Sequence, residues 1–446
     1  MASDLLSIAA SGARAARGAL DVTAQNIANA SSEGYVRRSL RISEVAASGG
    51  AGRIGDISLS GARIVEIKRN ADSFAQAEVR RTQGDLSRAN TELGGLRNIE
   101  SAIEQSGLYS SVVEFEAALQ HLAGDTVDSS RRAQVLAEAT TMANKFNIAS
   151  TSLDAAAAGL QFNAKAAGDD VTLVAGELAR TNLRLSRAGA GSSDRAALLD
   201  QRDQLLERLS GHAAIATSFG PDGAVAVTIG SNPPRPLVAG GTANNFSVMV
   251  IADGTLTFDV DGMPTEMPAG AMGGAQAALV ELVGVRGRLN SLADSLGSTV
   301  NGVQANGAAL DGSPGQPIFA GTTAADFRVV MQDGRGIATA PAGAPANSRD
   351  SQNLVSLRLA LTTFAPAGQL NNLLFDVSSK VAGRALTQDA LETIASSARV
   401  TLEQQSGVDL DSEAANLIRF QQAFQASGRA MQAASDIFDT LLGIGR

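Results

Sequence analysis

The sequence predicts a mainly α fold with β inserts, in which long helices from the two ends of the chain pair as a coiled coil or bundle and a β-rich region lies outward. Three observations carry this. A strict heptad runs through the first 29 residues, and a second runs through residues 410–441. Apolar residues make up 44% of the 446 but aromatic ones only 4%, so small side chains dominate and suit closely packed long helices. The middle of the chain breaks into short β runs separated by Pro-Asp-Gly and Asp-Gly turns.

The first heptad is Leu5, Ile8, Gly12, Ala15, Ala19, Val22, Asn26 and Asn29, spaced alternately by three and four. Its helix should stop within 30–34, where turn formers gather and Gly34 can take positive φ, with Tyr35 packed at the junction. Residues 35–67 read as extended: 38–42, a Gly/Ala/Ser hairpin tip at 46–52, then Ile54 to Ile67 with β-branched residues. Helix returns near Ala71 and continues with breaks to about Gly211. Leu86, Leu93, Leu96, Ile99 and Ile103 mark one face, and a break at Gly107 precedes Val112–Leu122. Ser129 or Ser130 is expected to cap a very long helix reaching towards Ala188, followed by another over about Asp194–Leu209.

Strands are expected at Ala224–Ile229, Phe246–Ile251 and Thr255–Val260, then a helix over about Gly274–Ala305. A Gly/Pro-rich patch at 307–346 holds short strands at Ile318-Phe319 and Phe327–Met331. Helices follow at about Asn371–Gln405 and Leu410–Leu442. The last carries Leu410, Glu413, Leu417, Phe420, Phe424, Ser427, Met431, Ala434, Phe438 and Leu441 on one stripe, with Asp409, Asp411 and Glu413 complementing the dipole of its first turn. The expected organisation is nested. Residues 1–34 with 407–446 form a terminal-helix unit; 35–212, 270–306 and 347–406 form a helical rod with the extended segment at 35–67; 213–269 is a β-rich insert and 307–346 a short outer one.

Composition removes much chemistry. The chain has no cysteine, which excludes disulfides, zinc-thiolate sites, iron–sulfur clusters and cysteine nucleophiles. It has two histidines, His121 and His212, both near predicted helix ends, where a dipole or surface role is expected rather than a metal site. A net charge of -9 gives no global basic field for nucleic acid. No basic, apolar leader and no 18-residue apolar run is present, so the reading is a soluble chain without a Sec-type signal and without membrane insertion. There is no nucleophile elbow, Walker loop, dinucleotide fingerprint or zinc-protease motif, and neither enzyme activity nor a cofactor is expected. Asp409-x-Asp411-x-Glu413 lacks the sixth-position glycine and twelfth-position glutamate of a calcium loop, so helix capping accounts for it better. Arg37-Arg38-Arg41 is expected as a solvated strand face or an inter-subunit ion-pair patch.

The terminal stripes raise the question of whose core they form. The large residues Leu410, Leu417, Phe420, Phe424, Met431, Phe438 and Leu441 face a partner helix made of small residues, which covers one side of them. Burying the other side calls for neighbours, so the ends are expected to be unstructured in the free chain and to fold on assembly.

Ala24-Gln25-Asn26-Ile27-Ala28-Asn29, continuing through Gly34-Tyr35 to Arg38, resembles the N-terminal signature of flagellar rod, hook and hook-associated proteins. The family pattern Thr-Pro-Gly-Tyr is altered here to Ser32-Glu33-Gly34-Tyr35. Ser406-Gly407-Val408-Asp409-Leu410-Asp411-Ser412-Glu413 and Arg419-Phe420-Gln421-Gln422-Ala423-Phe424 resemble the terminal helix of the same proteins. Leu198-Leu199-Asp200-Gln201-Arg202-Asp203-Gln204-Leu205-Leu206 and Asn301-Gly302-Val303-Gln304-Ala305-Asn306-Gly307 narrow the resemblance to the FlgK family of hook–filament junction proteins.

That resemblance implies an extracellular axial subunit of the bacterial flagellum, exported from the cytoplasm through the type III apparatus without a cleaved signal. Its implied partners are other copies of itself, the hook protein, the second hook-associated junction protein, and an export chaperone at the C-terminal region. The alternative within the same class is the second junction protein or a flagellin-like subunit. The expected assembly interface is Leu5, Ile8, Gly12, Ala15, Ala19, Val22, Asn26, Ile27, Asn29, Gly34 and Tyr35, with Leu410, Leu417, Phe420, Phe424, Met431, Phe438 and Leu441.

Overall fold

A computed structural model describes residues 2–46 and 59–444. The expected hairpin tip and residues 54–58 lie largely outside them. Helix α1 (Ala2–Ala28) leads to an antiparallel hairpin of β1 (Arg38–Ala46) and β2 (Leu59–Arg69). Four helices follow: α2 (Ser73–Glu104), α3 (Leu108–Leu122), α4 (Ser129–Leu185) and α5 (Ser193–His212). Next come two antiparallel sheets, β3 (Ile215–Phe219) to β6 (Thr242–Ala243) through β4 (Val225–Ile229) and β5 (Arg235–Ala239), then β7 (Phe246–Val250), β8 (Leu256–Val260) and β9 (Met263–Thr265). Helix α6 (Gly270–Ala305) returns along the body. The short pairs β10 (Gly307–Ala308) with β13 (Ala340–Pro341) and β11 (Phe319–Ala320) with β12 (Arg328–Val329) precede α7 (Gln352–Phe364), α8 (Pro366–Ser406) and α9 (Leu410–Ile444). The fold is mainly α with β inserts and long helices at both ends.

The body is a helical bundle around α4, whose heptad-like row Val135, Met142, Ala149, Leu153, Leu160, Ala167, Val171 and Leu178 is buried almost throughout. Helices α2 and α6 lie together because small residues let them. A side chain at Gly274 would put its Cβ 2.3 Å from the Arg88 carbonyl oxygen, and one at Gly95 2.5 Å from Ala278 Cβ. Four phenylalanines meet where the segment after α6 packs on the bundle: Phe319 stacks on Phe327 at 4.9 Å, and these meet Phe115 and Phe146 edge-on at 5.8 and 5.2 Å. Arg132, fully buried in the first turn of α4, donates to the carbonyl oxygens of Thr126, Gly334 and Ile337 and to Thr339 Oγ1, tying that segment to the helix. The β sheets lean on α4 through Asn182, whose amide donates to the Val225 and Gly240 carbonyls and accepts from Val225 N–H.

Several expected boundaries move for identifiable reasons. Asp128, not Ser129 or Ser130, caps α4, its carboxylate accepting from Ser130 and Arg131 N–H at 2.8 and 3.0 Å, and the helix ends at Leu185. The helix expected from Asn371 starts at Pro366, behind a separate helix, α7. Ala365 takes φ 49° between the two, which lets Pro366 open α8 at its first position. Helix α6 begins at Gly270 instead of Gly274. The ends of the chain, expected to be unstructured without neighbours, are helical and paired: α1 lies along α9.

Candidate assembly interface

Helix α1 is held between α9 on one side and the β1–β2 hairpin on the other. Ala9, Ala13, Ala15, Ala16, Ala19 and Val22 are buried there, and Gly12 lets Ser427 of α9 come close, since an added Cβ would lie 3.1 Å from its Oγ. Ser11 Oγ accepts the Ala62 N–H of β2 at 3.0 Å. Of the C-terminal stripe, Glu413 and Ala434 are buried, Leu417, Phe420 and Met431 half-buried, whereas Leu410, Phe424 and Phe438 stand out, Phe424 at 43% and Phe438 at 50% exposure. With Ile418 and Ile437 of α9 and Leu5, Leu6 and Ile8 of α1, they leave the pair with an unburied apolar surface.

The pair joins the body at a buried polar node built around the Asn-Ile-Ala-Asn motif. Asn26 is 1% exposed; its Oδ1 accepts Arg38 N–H at 3.0 Å and Tyr35 OH at 2.9 Å, and its Nδ2 donates to the Arg38 carbonyl at 2.8 Å. One side chain thus gives the start of β1 the partners that a neighbouring strand would supply. Asn29 donates from its Nδ2 to the Gln25 carbonyl and closes the helix end. Gly34 has φ 72°, as the turn requires, and Gln204 Nε2 donates to the Glu33 carbonyl beside it. Burial pushes the Tyr35 phenol up from its ordinary value, against the pull of the Arg38 guanidinium, which lies 5.0 Å over its ring.

The arginine cluster needs a correction. Arg41 is solvated, but Arg37 and Arg38 are neither a free strand face nor an inter-subunit patch. Arg37 N–H donates to the Ser406 carbonyl at 2.9 Å and its Nε to Glu413 Oε1 at 2.6 Å, so the start of the hairpin is clamped to the passage from α8 to α9. Glu413 lies in the first turn of α9, as its dipole-complementing role requires, and is almost fully buried against Arg37. Arg38 reaches Asp200 Oδ2 at 3.0 Å, and Arg69 Nε reaches Asp200 Oδ1 at 2.6 Å. Asp203 is shared by Arg69 and Arg202, each at 2.7 Å, and by Gln76. Burial pushes the Asp200 carboxyl up, and the Arg69 and Arg38 guanidiniums oppose it.

The structure therefore brings Ala15, Ala19, Val22 and Asn26 inside the chain. Gly12, Ile27, Asn29 and Tyr35 lie half-buried, and Gly34 is exposed at the turn. Leu5, Ile8, Leu410, Phe424 and Phe438 lie on the surface; Leu441 lies on α9, its side chain outside what is described. Reading the sequence missed Asp200, Asp203, Arg69 and Glu413 as members of the node. A signal was there: alternating charges inside the Leu-Leu-Asp-Gln-Arg-Asp-Gln-Leu-Leu run place acidic residues beside leucines on a helix that must be buried. Among the described residues no group of acidic or histidine side chains could hold a metal ion, and no helix is long and apolar enough to cross a membrane. His212 Nε2 lies 2.8 Å from Asp170 Oδ2 at the end of α5.

With this geometry in hand, comparison with known proteins is informative. Residues 93–319 match the model described as the flagellar hook-associated protein FlgK helical domain. Residues 6–35 match a flagella basal body rod protein model, and 402–444 the C-terminal model of flagellar basal body rod FlgEFG proteins. The flagellar hook-associated protein 1 of Bacillus subtilis is 22% identical over 491 aligned residues, covering 97% of this chain and 96% of its own. That of Salmonella typhimurium is 27% identical, covering 71% of this chain and 59% of its own. The solved structure of the flagellar hook junction protein FlgK from Burkholderia pseudomallei is similar at a TM-score of 0.49 and 22% identity, over 54% of this chain and 46% of that one.

Proposed function

Because the chain belongs to the family of the flagellar hook-associated protein FlgK, whose helical-domain model matches half of its length, we propose that it is a structural subunit of the bacterial flagellum that assembles at the hook–filament junction and adapts hook to filament. The observation that carries the mechanism is the apolar surface of the α1–α9 pair. Leu5, Leu6, Ile8, Ile418, Phe424, Ile437 and Phe438 are each a third to a half or more exposed, and covering what remains open on each contributes about 1 kcal/mol. Summed over like subunits that is enough to drive association. Contacts between copies are head-to-tail about a tube axis, because a tube cannot close from isologous pairs alone.

In this reading the terminal pair, 1–34 with 407–446, lines the inner tube. The helical body forms the next layer, with the segments 213–269 and 307–346 outermost. The partners are other copies of the chain, the hook protein on one face and the second hook-associated protein on the other, with an export chaperone covering the C-terminal helix before the chain leaves the cytoplasm. The role is structural, without catalysis. Electron microscopy of a deletion strain tests it: bare hooks with flagellin shed into the medium are expected. Filaments growing normally from those hooks would overturn the junction role and move the chain elsewhere in the axial series.

A further inference from the structure

At the foot of the terminal pair, between the turn at Gly34 and the passage from α8 to α9, lies a cavity of about 120 Å³. Its wall holds Arg80 and Ser406, each more than nine-tenths buried as a residue; the Ser406 hydroxyl is shut off from solvent without a partner, whereas the Arg80 nitrogens, unbonded within the protein, are still reached by solvent. Arg80 of α2 is 7% exposed and makes no hydrogen bond or ion pair among the described residues; Ser406, 3% exposed, has a hydroxyl without a partner. The other buried cations of the neighbourhood each have a carboxylate partner, Arg38 in Asp200, Arg69 in Asp200 and Asp203, Arg202 in Asp203, although Arg38 Nε and Arg69 Nη2 stay unbonded. Arg80 is the surplus charge. Burial holds its guanidinium below the ordinary value, with Asp203 working the other way.

We propose that this cavity is an oxyanion site in which Arg80 and Ser406 hold a carboxylate-sized anion, with Arg399 at its rim. The volume accommodates several waters or one such group. The carboxylates that also line it do not fill the role in the structure: Asp203 is engaged by two arginines, Glu207 lies 3.7 Å from Arg399, and Glu403 is exposed with no ion pair among the described residues. The anion is either a free small oxyanion or an acidic side chain of a second copy. A planar guanidinium with a neighbouring hydroxyl serves both equally well. Either occupant would brace the two strands of chain that connect the terminal pair to the body, because Tyr35, Val36 and Gly407 line the same cavity.

The test has two arms. In the first, thermal melts of the purified chain are followed against acetate and phosphate, with chloride at matched ionic strength as the reference. A saturable rise in Tm is expected for the wild type, with the half-saturating concentration raised about tenfold or more in Arg80→Met and about threefold in Ser406→Ala, as loss of a charged and a neutral hydrogen bond predicts. Arg80→Lys should retain part of the response. That pattern identifies a free anion. The second arm rests on the proposed assembly role: if acetate and phosphate have no effect, but Arg80→Met and Ser406→Ala reduce incorporation into junctions while the monomer melts unchanged, the carboxylate comes from a second copy. No anion response together with normal incorporation overturns the proposal, and leaves the assembly role untouched. So does a Glu403→Gln variant destabilised as much as Arg80→Met, which would make Glu403 the partner within the chain. Should Arg80→Met fail to fold, Ser406→Ala and Arg80→Lys carry both arms.

Discussion

A side chain at Gly34 has two obstacles. The backbone φ of 72° is one that only glycine adopts without cost, and an added Cβ would lie 2.6 Å from Gln204 Cγ and Nε2. Gly34→Val should therefore cost about 1–3 kcal/mol locally, with the strain confined to the turn. A melt a few degrees lower with an intact body, together with loss of swimming, is the expected result; normal motility would count against the turn as an assembly element. Asp200 is a stiffer case, since one carboxylate satisfies Arg38 and Arg69 together. Arg38 Nε and Arg69 Nη2 already lack partners, so no spare acceptor stands by. Asp200→Asn is expected to destabilise by about 3 kcal/mol, near the low end for a broken buried ion pair because the amide oxygen still accepts. Urea unfolding measures it, and a change under 1 kcal/mol would show that the node is not held by charge.

Helix α9 presents Phe424 to solvent while Glu413 and Ala434, on the same stripe, face inward. A carboxylate at 424 is therefore tolerated by the single chain and not by an assembly that covers it. Phe424→Asp should leave the melt within about 1 kcal/mol of the wild type, as surface substitutions do, and abolish swimming with flagellin secreted. Collapse of the melt would make Phe424 part of the chain's own core. The stripe was legible in the sequence because its spacing is a property of one helix. So were the strands at Val225–Ile229 and Leu256–Val260, flanked by Asp-Gly turns, and the positive φ of Gly34. What could not be read there depends on distant partners. That Arg37 meets Glu413, 376 residues away, is fixed by where α8 delivers the chain to α9, and that Arg38 lies buried on Asp200 is fixed by how α5 crosses the hairpin. The missed helix α7 is a local failure: Ala365 and Pro366 form a break that the apolar pattern alone does not reveal.

The molecule as a whole holds two regions of unequal cohesion. Helix α4 is buried along its length by large side chains, several with no exposure, whereas the α1–α9 pair meets through alanines, a glycine and half-buried residues. Amide exchange should report the difference: residues 5–28 and 410–440 are expected to lose protection well before 135–180 in dilute solution, and equal protection would show that the pair is as cohesive as the bundle. The pair also communicates with the body through two covalent crossings, at 29–37 and at 407–409. These lie side by side, cross-linked by Arg37 to the Ser406 carbonyl and to Glu413. Mechanically this is a double-stranded tether with a rung across it. A pull on the terminal helices divides between both strands and loads the rung in shear, so that its bonds must yield together; a single strand would peel one bond at a time. A subunit so tethered can tilt about its foot without being drawn out of register.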